Sequence, residues 1–180
     1  MQKNKILAHA CCAPCASFSL QKLLSDDYLP ILYFYNPNIH PYDEYVIRHD
    51  ELIKFAKSQK IELIIEEPDF DNWFKAVKGL ENEPEKGKRC SVCFDFRLNK
   101  TAEKALELGI NTFTTVLTIS PHKNASVINA IGEDIASNAG LSFLKENFKK
   151  NDGFKKSIEL SKKYGFYRQS YCGCVFSKKI

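Results

Sequence analysis

The sequence predicts an α/β fold in which helices cover both faces of a mainly parallel sheet. Two observations support this prediction. Strand-like and helix-like segments alternate from the start of the chain, and no internal repeat, low-complexity stretch or linker interrupts them. In sheets of this kind, ligands bind at the carboxyl ends of the strands. We therefore expect the functional site along that rim of the sheet.

In the first half of the chain, three apolar runs of strand length are each followed by a segment of helical character. The strands are expected over residues 5–10, 29–35 and 61–67, and the helices over residues 12–24, 44–60 and 71–80. Pro14 suits the first turn of its helix, because an N–H group there would have no helical partner. The second helix has apolar residues at helical spacing.

The second half continues the alternation after an exposed polar loop at residues 81–89. Two strands are expected over residues 111–119 and 141–148, and three helices over residues 89–109, 120–140 and 154–165. The strand over residues 111–119 is rich in β-branched side chains, which favour extended backbone. Gly109 and Gly140 are expected to end their helices, and Ser120 to cap the helix that follows it.

Composition indicates one globular domain over residues 1–180, with a basic, cysteine-containing C-terminal segment at residues 145–180. The chain is 44% hydrophobic and 27% charged, which is ordinary for a soluble protein. No run approaches the roughly 18 apolar residues that cross a bilayer. The apolar part of the N-terminus is too short for a signal-peptide core. We therefore expect a cytoplasmic protein with no membrane association.

The distribution of charge is more informative than the net charge of +4. Residues 145–180 contain ten Lys or Arg residues and three Asp or Glu residues, whereas the preceding part of the chain is slightly acidic. A basic segment of this kind suits a phosphate backbone as its partner. The alternative is a lysine-rich helix face that is simply solvated.

Seven cysteines are many for a cytosolic chain of this size, and in a reducing compartment they indicate metal binding or catalysis. Two sequence-distant pairs could supply the four thiolates of an iron–sulfur cluster or a structural zinc ion. These pairs are Cys11 with Cys12, and Cys90 with Cys93. The adjacent side chains of the first pair diverge, which favours the larger iron–sulfur cluster over a single zinc ion.

Cys15 allows two interpretations. With Cys12 it forms a CxxC motif at a helix N-terminus, where the helix dipole lowers the pKa of a thiol as in thioredoxin-like proteins. Alternatively, Cys12 binds the cluster and Cys15 is a nearby thiol or a ligand of a second ion.

Cys172 and Cys174 flank a single glycine, so a disulfide between them would close a small, strained and labile ring. The alternative is two reduced cysteines in a packed segment. Arg168 and Tyr171 beside the pair could bind a nucleotide.

The expected rim also holds His9, His40 and His122, which we interpret as hydrogen-bonding residues rather than metal ligands. A nucleotide-binding fold would have a glycine-rich loop after its first strand. This chain has CCAPCAS there, without glycine, so the sequence does not support ATP binding at this position.

Several separated motifs resemble, in their order, the QueH-type epoxyqueuosine reductases. They cover nearly the whole chain: HACCAPC, YNPNIHP with EYVIR, RCSVCFDFRL, TTVLTISPHKN with IGE, and FYRQSYCGC followed by Ser177. The resemblance implies a Rossmann-like α/β domain and the last step of queuosine synthesis in tRNA. In that step, epoxyqueuosine at the wobble position is reduced to queuosine, and the epoxide oxygen leaves as water.

The resemblance also implies cofactors, partners and residue roles. A [4Fe–4S] cluster would be bound by Cys11, Cys12, Cys90 and Cys93. Cys172 and Cys174 would be the redox-active pair, and the partners would be tRNA and an external electron donor. Asn147 departs from the pattern, since Asp is expected there.

Further roles are hypotheses at this point. A second metal ion near Cys15 could polarise the epoxide oxygen, and Tyr171 or His9 could donate a proton. The candidate contacts to tRNA are Arg168, Lys149, Lys150 and His40.

Three other classes of protein stay open. One is a tRNA-thiolating enzyme, which would need ATP. A second is a metal-free thiol–disulfide oxidoreductase that uses Cys12 and Cys15. The third is a zinc-stabilised RNA-binding module without catalytic activity. Visible absorption and the iron, sulfide and zinc contents separate most of these classes.

Overall fold

The structure, a computed structural model, describes residues 4–178. The five strands in this part of the chain are β1 Asn4–His9, β2 Tyr28–Phe34, β3 Leu63–Ile65, β4 Thr112–Thr115 and β5 Ser142–Phe143. The six α-helices there are α1 Ala13–Ser25, α2 Tyr42–Gln59, α3 Phe70–Ala76, α4 Lys88–Glu107, α5 Ala125–Ala139 and α6 Gly153–Tyr164. The predicted domain over residues 1–180 and its segment 145–180 stay predictions, and residues 1–3 and 179–180 lie outside the described residues.

The five strands form one sheet in the order β3-β2-β1-β4-β5, and every neighbouring pair is parallel. This confirms the predicted α/β class and the Rossmann-like sheet. The strand order reverses between β1 and β4, so their carboxyl ends border the crevice where such sheets bind ligands. The cysteine-rich segment after β1 begins at this crevice.

Helices cover both faces of the sheet, because the central strands alternate their side chains between two apolar cores. On β1, Ile6 and Ala8 pack with α1 and α2, whereas Leu7 packs with α4 and α5. All three side chains have no solvent exposure. The predicted coverage of both faces is therefore confirmed.

The structure corrects three predicted boundaries. The strand expected over residues 111–119 ends at Thr115, whose Oγ1 accepts a hydrogen bond from the Leu117 amide and begins a 3₁₀ turn at Val116–Ile119. The strand expected over residues 141–148 is only the two-residue β5. The predicted cap Ser120 is wrong, because Asn124 Oδ1 accepts hydrogen bonds from the first amides of α5 instead.

Other predicted helix ends are confirmed. Pro14 lies in the first turn of α1. Gly140 ends α5 in the left-handed conformation at φ +67°, and Gly109 has φ +65° just beyond α4. Within residues 4–178, no helix is both long enough and apolar enough to cross a membrane.

Candidate metal and thiol site

Three cysteine thiols gather where β1 ends and α1 begins. The Sγ atoms of Cys11, Cys12 and Cys15 all lie within 4.8 Å of one another. Cys12 is the residue that precedes the first turn of α1, and Cys15 lies within that turn. Cys11 and Cys12 are buried and Cys15 is partly exposed. This arrangement offers three soft sulfur ligands at one point of the rim.

Hydrogen bonds among these thiols distribute the protons unevenly. The Cys12 and Cys15 thiols stabilise a thiolate at Cys11, and this lowers the pKa of Cys11 well below its usual value. The hydrogen bond to Cys11 correspondingly raises the pKa of Cys12 to about 12, and the pKa of Cys15 also rises. Thiolates are the form of cysteine that binds metal.

Cys90 and Cys93 lie one turn apart at the start of α4. Cys93 is buried, and the half-buried Cys90 packs against the apolar core that contains Cys11 and Cys12. The Lys86 amide donates a hydrogen bond to Cys90 Sγ at 3.3 Å. Among the described residues, the group of sulfur atoms within 4.8 Å of one another includes neither Cys90 nor Cys93. The predicted four-cysteine ligand set therefore stays a prediction.

Cys172 and Cys174 lie beside the α4 pair. All four cysteines line one small cavity, of about 30 Å³. Cys174 donates a hydrogen bond to Cys172, which lowers the pKa of Cys172 and raises that of Cys174. Ser177 Oγ is 3.0 Å from Cys172 Sγ. The segment thus pairs a thiol that loses its proton more readily with one that holds its proton more firmly.

A second and larger cavity, of about 580 Å³, opens beside these groups. Cys15 and Cys172 both line it, so it connects the β1–α1 thiols with the C-terminal pair. The charged side chains that line it are those of Glu85, Lys123, Arg168 and Lys178, and His122 lines it as well. Three of these four charges are positive, which suits a ligand that carries phosphate.

Three buried arginines lie close to the thiol groups, and local sequence pattern alone does not indicate their position. Arg48, Arg89 and Arg97 are 1%, 2% and 2% exposed. Arg97 Nη1 donates to Asn36 Oδ1 at 3.2 Å, and Asn36 donates in turn to the Ala10 carbonyl just before the cysteines. Arg89 Nη1 donates to three backbone carbonyl oxygens of the loop before α4. Whether an arginine on a helix is buried depends on the tertiary structure. The only signal in the sequence is that Arg48 lies in the motif EYVIR, and Arg89 and Arg97 in the motif RCSVCFDFRL.

Gln169 is a further residue that sequence reasoning missed. Its Nε2 donates a hydrogen bond to Cys12 Sγ at 3.0 Å, across 157 residues of chain. Its Oε1 is buried and has no hydrogen-bond partner among the described residues. Gln169 also lines the larger cavity, so it contacts the thiol group from the cavity side.

The predicted substrate contacts occupy different environments. Arg168 is exposed on the wall of the larger cavity, and Lys150 is exposed at a turn before α6. Lys149 Nζ donates to the carbonyl oxygens of Ser120 and Lys123, and burial lowers its pKa. Lys149 therefore fixes the loop between β4 and α5 through its own ammonium group.

Two predicted rim residues are tied to backbone carbonyl groups. His40 Nε2 lies 3.0 Å from the Pro37 carbonyl oxygen, and its ring packs among the aromatic rings of α3. The Tyr171 hydroxyl donates to the His40 carbonyl oxygen. The phenolic proton of Tyr171 is thus already engaged.

His9 forms hydrogen bonds, as the sequence indicated, but it has no solvent exposure and belongs to the core instead of an open rim. Its ring nitrogens lie 3.0 Å from Thr115 Oγ1 and 3.1 Å from the Tyr35 carbonyl oxygen. Complete burial, reinforced by the charge of Arg97, lowers the pKa of His9 to about 4. The imidazole is therefore neutral near pH 7.

Asn147, the departure from the family pattern, has a buried Oδ1 without a partner in the described part of the chain.

Comparisons with known proteins agree on one family. Residues 6–180 match the family model described as epoxyqueuosine reductase QueH. An epoxyqueuosine reductase QueH of Streptococcus pyogenes serotype M1 is 45% identical over 99% of this chain and 72% of its own length. The QueH of Acinetobacter baylyi is 45% identical over 97% of this chain and 80% of its own length. The QueH of Thermotoga maritima is 37% identical over 96% of this chain and 89% of its own length.

A comparison of structures agrees with the fold. The U34-tRNA thiolase NcsA from Methanococcus maripaludis, solved with its [4Fe–4S] cluster, has a TM-score of 0.59 at 15% identity, covering 99% of this chain and 63% of the thiolase. At that identity the likeness concerns the fold alone. The sequence matches extend over nearly the whole chain, and on their strength the chain belongs to the epoxyqueuosine reductase QueH family.

Proposed function

We propose that this protein reduces epoxyqueuosine to queuosine at the wobble position of tRNA. The reaction consumes two electrons and two protons, forms a carbon–carbon double bond, and releases the epoxide oxygen as water. Membership of the QueH family supports this proposal. One structural observation carries it. Cys15 and Cys172, which belong to different chain segments, both line the 580 Å³ cavity, and three cationic side chains line it with them.

The size and lining of this cavity suit a modified nucleoside. Ligand pockets commonly measure roughly 300–1,000 Å³ and combine apolar walls with a few polar groups. We assign Lys123, Arg168 and Lys178 to the phosphates that flank the modified base, because these cations line the same cavity. The epoxide would then reach the thiol groups of Cys15 and Cys172.

The residues present fit a [4Fe–4S] cluster. Thiolates are the usual ligands of such clusters, and this rim holds thiols at the starts of α1 and α4 with buried guanidinium groups to offset their charge. We assign Cys11, Cys12, Cys90 and Cys93 as the ligands. When bound, the cluster would supply electrons one at a time. Cys15, close to Cys11 and Cys12, would be a substrate-facing thiol or a ligand of a second metal ion.

Cys172 and Cys174 complement one-electron chemistry, because a dithiol stores two electrons. Their oxidation to a disulfide releases the two electrons that the epoxide consumes. A pair that starts as one thiolate and one thiol releases one proton, so the second proton comes from water. An external donor must then reduce the disulfide. The lowered pKa of Cys172 supports this role, since a thiol of low pKa leaves readily when the thiolate of a donor attacks the disulfide.

Two predicted proton donors receive other roles in this proposal. The hydroxyl proton of Tyr171 is engaged by the His40 carbonyl, so we assign Tyr171 to holding the segment. His9 is neutral and has no solvent exposure, so we assign it to the core. Cys15, whose side chain lines the cavity, is the better candidate for protonating the leaving oxygen.

The test is anaerobic turnover of tRNA that carries epoxyqueuosine, with dithionite as electron donor and queuosine measured by mass spectrometry of the digested nucleosides. Cys90→Ala is expected to remove both the iron–sulfur absorption and queuosine formation. Cys174→Ser is expected to keep the absorption and impair turnover. The matched control is Ser91→Ala, which alters the neighbouring position on α4 and leaves every cysteine in place.

Metal analysis separates the alternatives. About four iron and four sulfide per chain support the proposal. A colourless protein that contains zinc, or an iron-free protein that exchanges disulfides through Cys12 and Cys15, would contradict it. Full activity of Cys174→Ser with dithionite would show that the thiol pair is dispensable under those conditions.

A further inference from the structure

We propose that Arg48 is a positioning residue that fixes the backbone of the Cys172–Gly173–Cys174 segment and thereby sets the reactivity of the thiol pair. The inference concerns the conformation of the segment, and its bearing on turnover rests on the proposed function. Arg48 lies in the middle of α2, more than 120 residues before the segment. Its side chain is 1% exposed.

The guanidinium group contacts the segment at two successive carbonyl groups. Arg48 Nη2 donates to the Tyr171 carbonyl oxygen and Nη1 to the Cys172 carbonyl oxygen, both at 3.0 Å. The same group lies 5.5 Å from the centroid of the Tyr171 ring. Such a two-pronged contact requires the planar fork of arginine, which lysine lacks.

The next carbonyl in the segment is held by a different element. The His40 amide donates to the Gly173 carbonyl oxygen at 2.8 Å, and the Tyr171 hydroxyl donates back to the His40 carbonyl. Three consecutive carbonyl groups, those of residues 171–173, are thus each bound by a donor from the α2 region. The backbone of the thiol pair is held along its length.

Glu44 completes the arrangement. Arg48 Nε donates to Glu44 Oε1 at 2.7 Å, which neutralises a cation that would be costly to bury alone. The Tyr167 hydroxyl donates to Glu44 Oε2 at 2.8 Å, and the Tyr167 amide donates to Glu51 Oε1 at 2.6 Å. The ion pair on α2 therefore anchors the C-terminal segment at Tyr167 as well as at residues 171–172.

Gly173 shows how closely the segment fits. Its φ of +108° lies in the region that favours glycine. A Cβ atom there would lie 2.9 Å from Ile39 Cγ1 and 3.2 Å from Arg48 Nη1. Because a disulfide needs its two sulfur atoms at a fixed separation and torsion, a backbone held in this way fixes how readily the two thiols meet.

The test compares Arg48→Met with wild type in two measurements on the thiol pair. One is the rate at which iodoacetamide alkylates Cys172 in the reduced protein, read by peptide mass spectrometry. The other is the fraction of Cys172–Cys174 disulfide at equilibrium with glutathione buffers. We expect alkylation to accelerate about tenfold, the size expected from losing a charged hydrogen bond, and the disulfide equilibrium to shift.

Two additional variants keep the test valid if Arg48→Met does not fold. Arg48→Met with Glu44→Gln avoids leaving a buried carboxylate unpaired. Tyr171→Phe removes the contact to the His40 carbonyl and leaves the ion pair intact.

Arg48→Lys keeps the charge and one contact, so an intermediate effect is expected. Lys54→Met, an exposed position on α2, is the matched control.

The outcomes distinguish this inference from the proposed function. Unchanged alkylation and an unchanged disulfide equilibrium in a folded double variant would overturn the role of Arg48, whatever the activity. Altered thiol reactivity supports the role of Arg48 whether or not the wild-type protein reduces epoxyqueuosine. If the wild-type protein does not reduce it, only the proposed function is contradicted.

Discussion

Gln169 is the single residue whose contact bears most directly on the proposed cluster. Its side-chain Nε2 donates a hydrogen bond to Cys12 Sγ at 3.0 Å, and its buried Oε1 has no hydrogen-bond partner in the described chain. Hydrogen bonds to ligand sulfur atoms stabilise the more negative, reduced form of an iron–sulfur cluster. Gln169 would therefore raise the reduction potential.

We predict that Gln169→Leu lowers the midpoint potential of the cluster, since it removes the N–H donor and keeps a side chain of similar size. The measurement is an anaerobic redox titration followed by absorption or electron paramagnetic resonance. The matched control is Gln21→Leu on the exposed face of α1, which should leave the potential unchanged. An unchanged or higher potential in Gln169→Leu would contradict the prediction.

Among the secondary-structure elements, α5 depends on a cap that lies four residues beyond the predicted one. Asn124 Oδ1 accepts hydrogen bonds from the Ser126 and Val127 amides at 3.0 and 3.4 Å. Ser120 instead follows the 3₁₀ turn after β4, and its Oγ accepts from the His122 amide at 3.3 Å. The loop between these two residues carries His122 and Lys123 to the larger cavity.

We predict that Asn124→Ala lowers the free energy of unfolding by about 1 kcal/mol, because the first amides of α5 lose their acceptor. Ser120→Ala is the control and should cost clearly less, since Ser120 accepts a single hydrogen bond within its loop. Urea unfolding of both variants, in metal-free protein, provides the comparison. A larger loss for Ser120→Ala would show that the helix begins where the sequence alone suggested.

For the molecule as a whole, the positive charge of the C-terminal segment is positioned by the tertiary structure. Exposed cations lie on α6 and around the larger cavity, whereas Lys149 is engaged inside the loop between β4 and α5. On α4, by contrast, the lysines Lys100 and Lys104 are paired with acidic side chains. This asymmetry supports tRNA binding on the side of the cavity.

We predict that tRNA binding weakens steeply as salt concentration rises, because bound phosphates release counterions. Lys150→Gln with Arg168→Gln should weaken binding and reduce the slope of log K against log salt by up to about 1.8, since each phosphate contact contributes roughly 0.7–0.9. Lys100→Gln with Lys104→Gln removes the same charge from α4 and should leave the slope unchanged. Fluorescence anisotropy at several salt concentrations measures both, and equal slopes for wild type and the Lys150/Arg168 variant would exclude these two contacts.

The sequence by itself determined the fold class, the order of the elements and the family. Alternating apolar runs and amphipathic segments are local properties, so they predicted all five strands and six helices of the described chain, with errors only at ends such as those of β4 and β5. The position of HACCAPC after the first strand also placed three cysteines on the correct rim, because carboxyl ends of parallel strands share one edge.

Only the tertiary structure decided which side chains meet at that rim. It groups Cys15 with Cys11 and Cys12, and brings Cys172 and Cys174 to the cavity of the α4 pair. It also directs Gln169 to Cys12 and buries Arg48 against the C-terminal segment. The contacts of Gln169 and Arg48 join positions more than 120 residues apart, and residue spacing carries no information about packing across such separations.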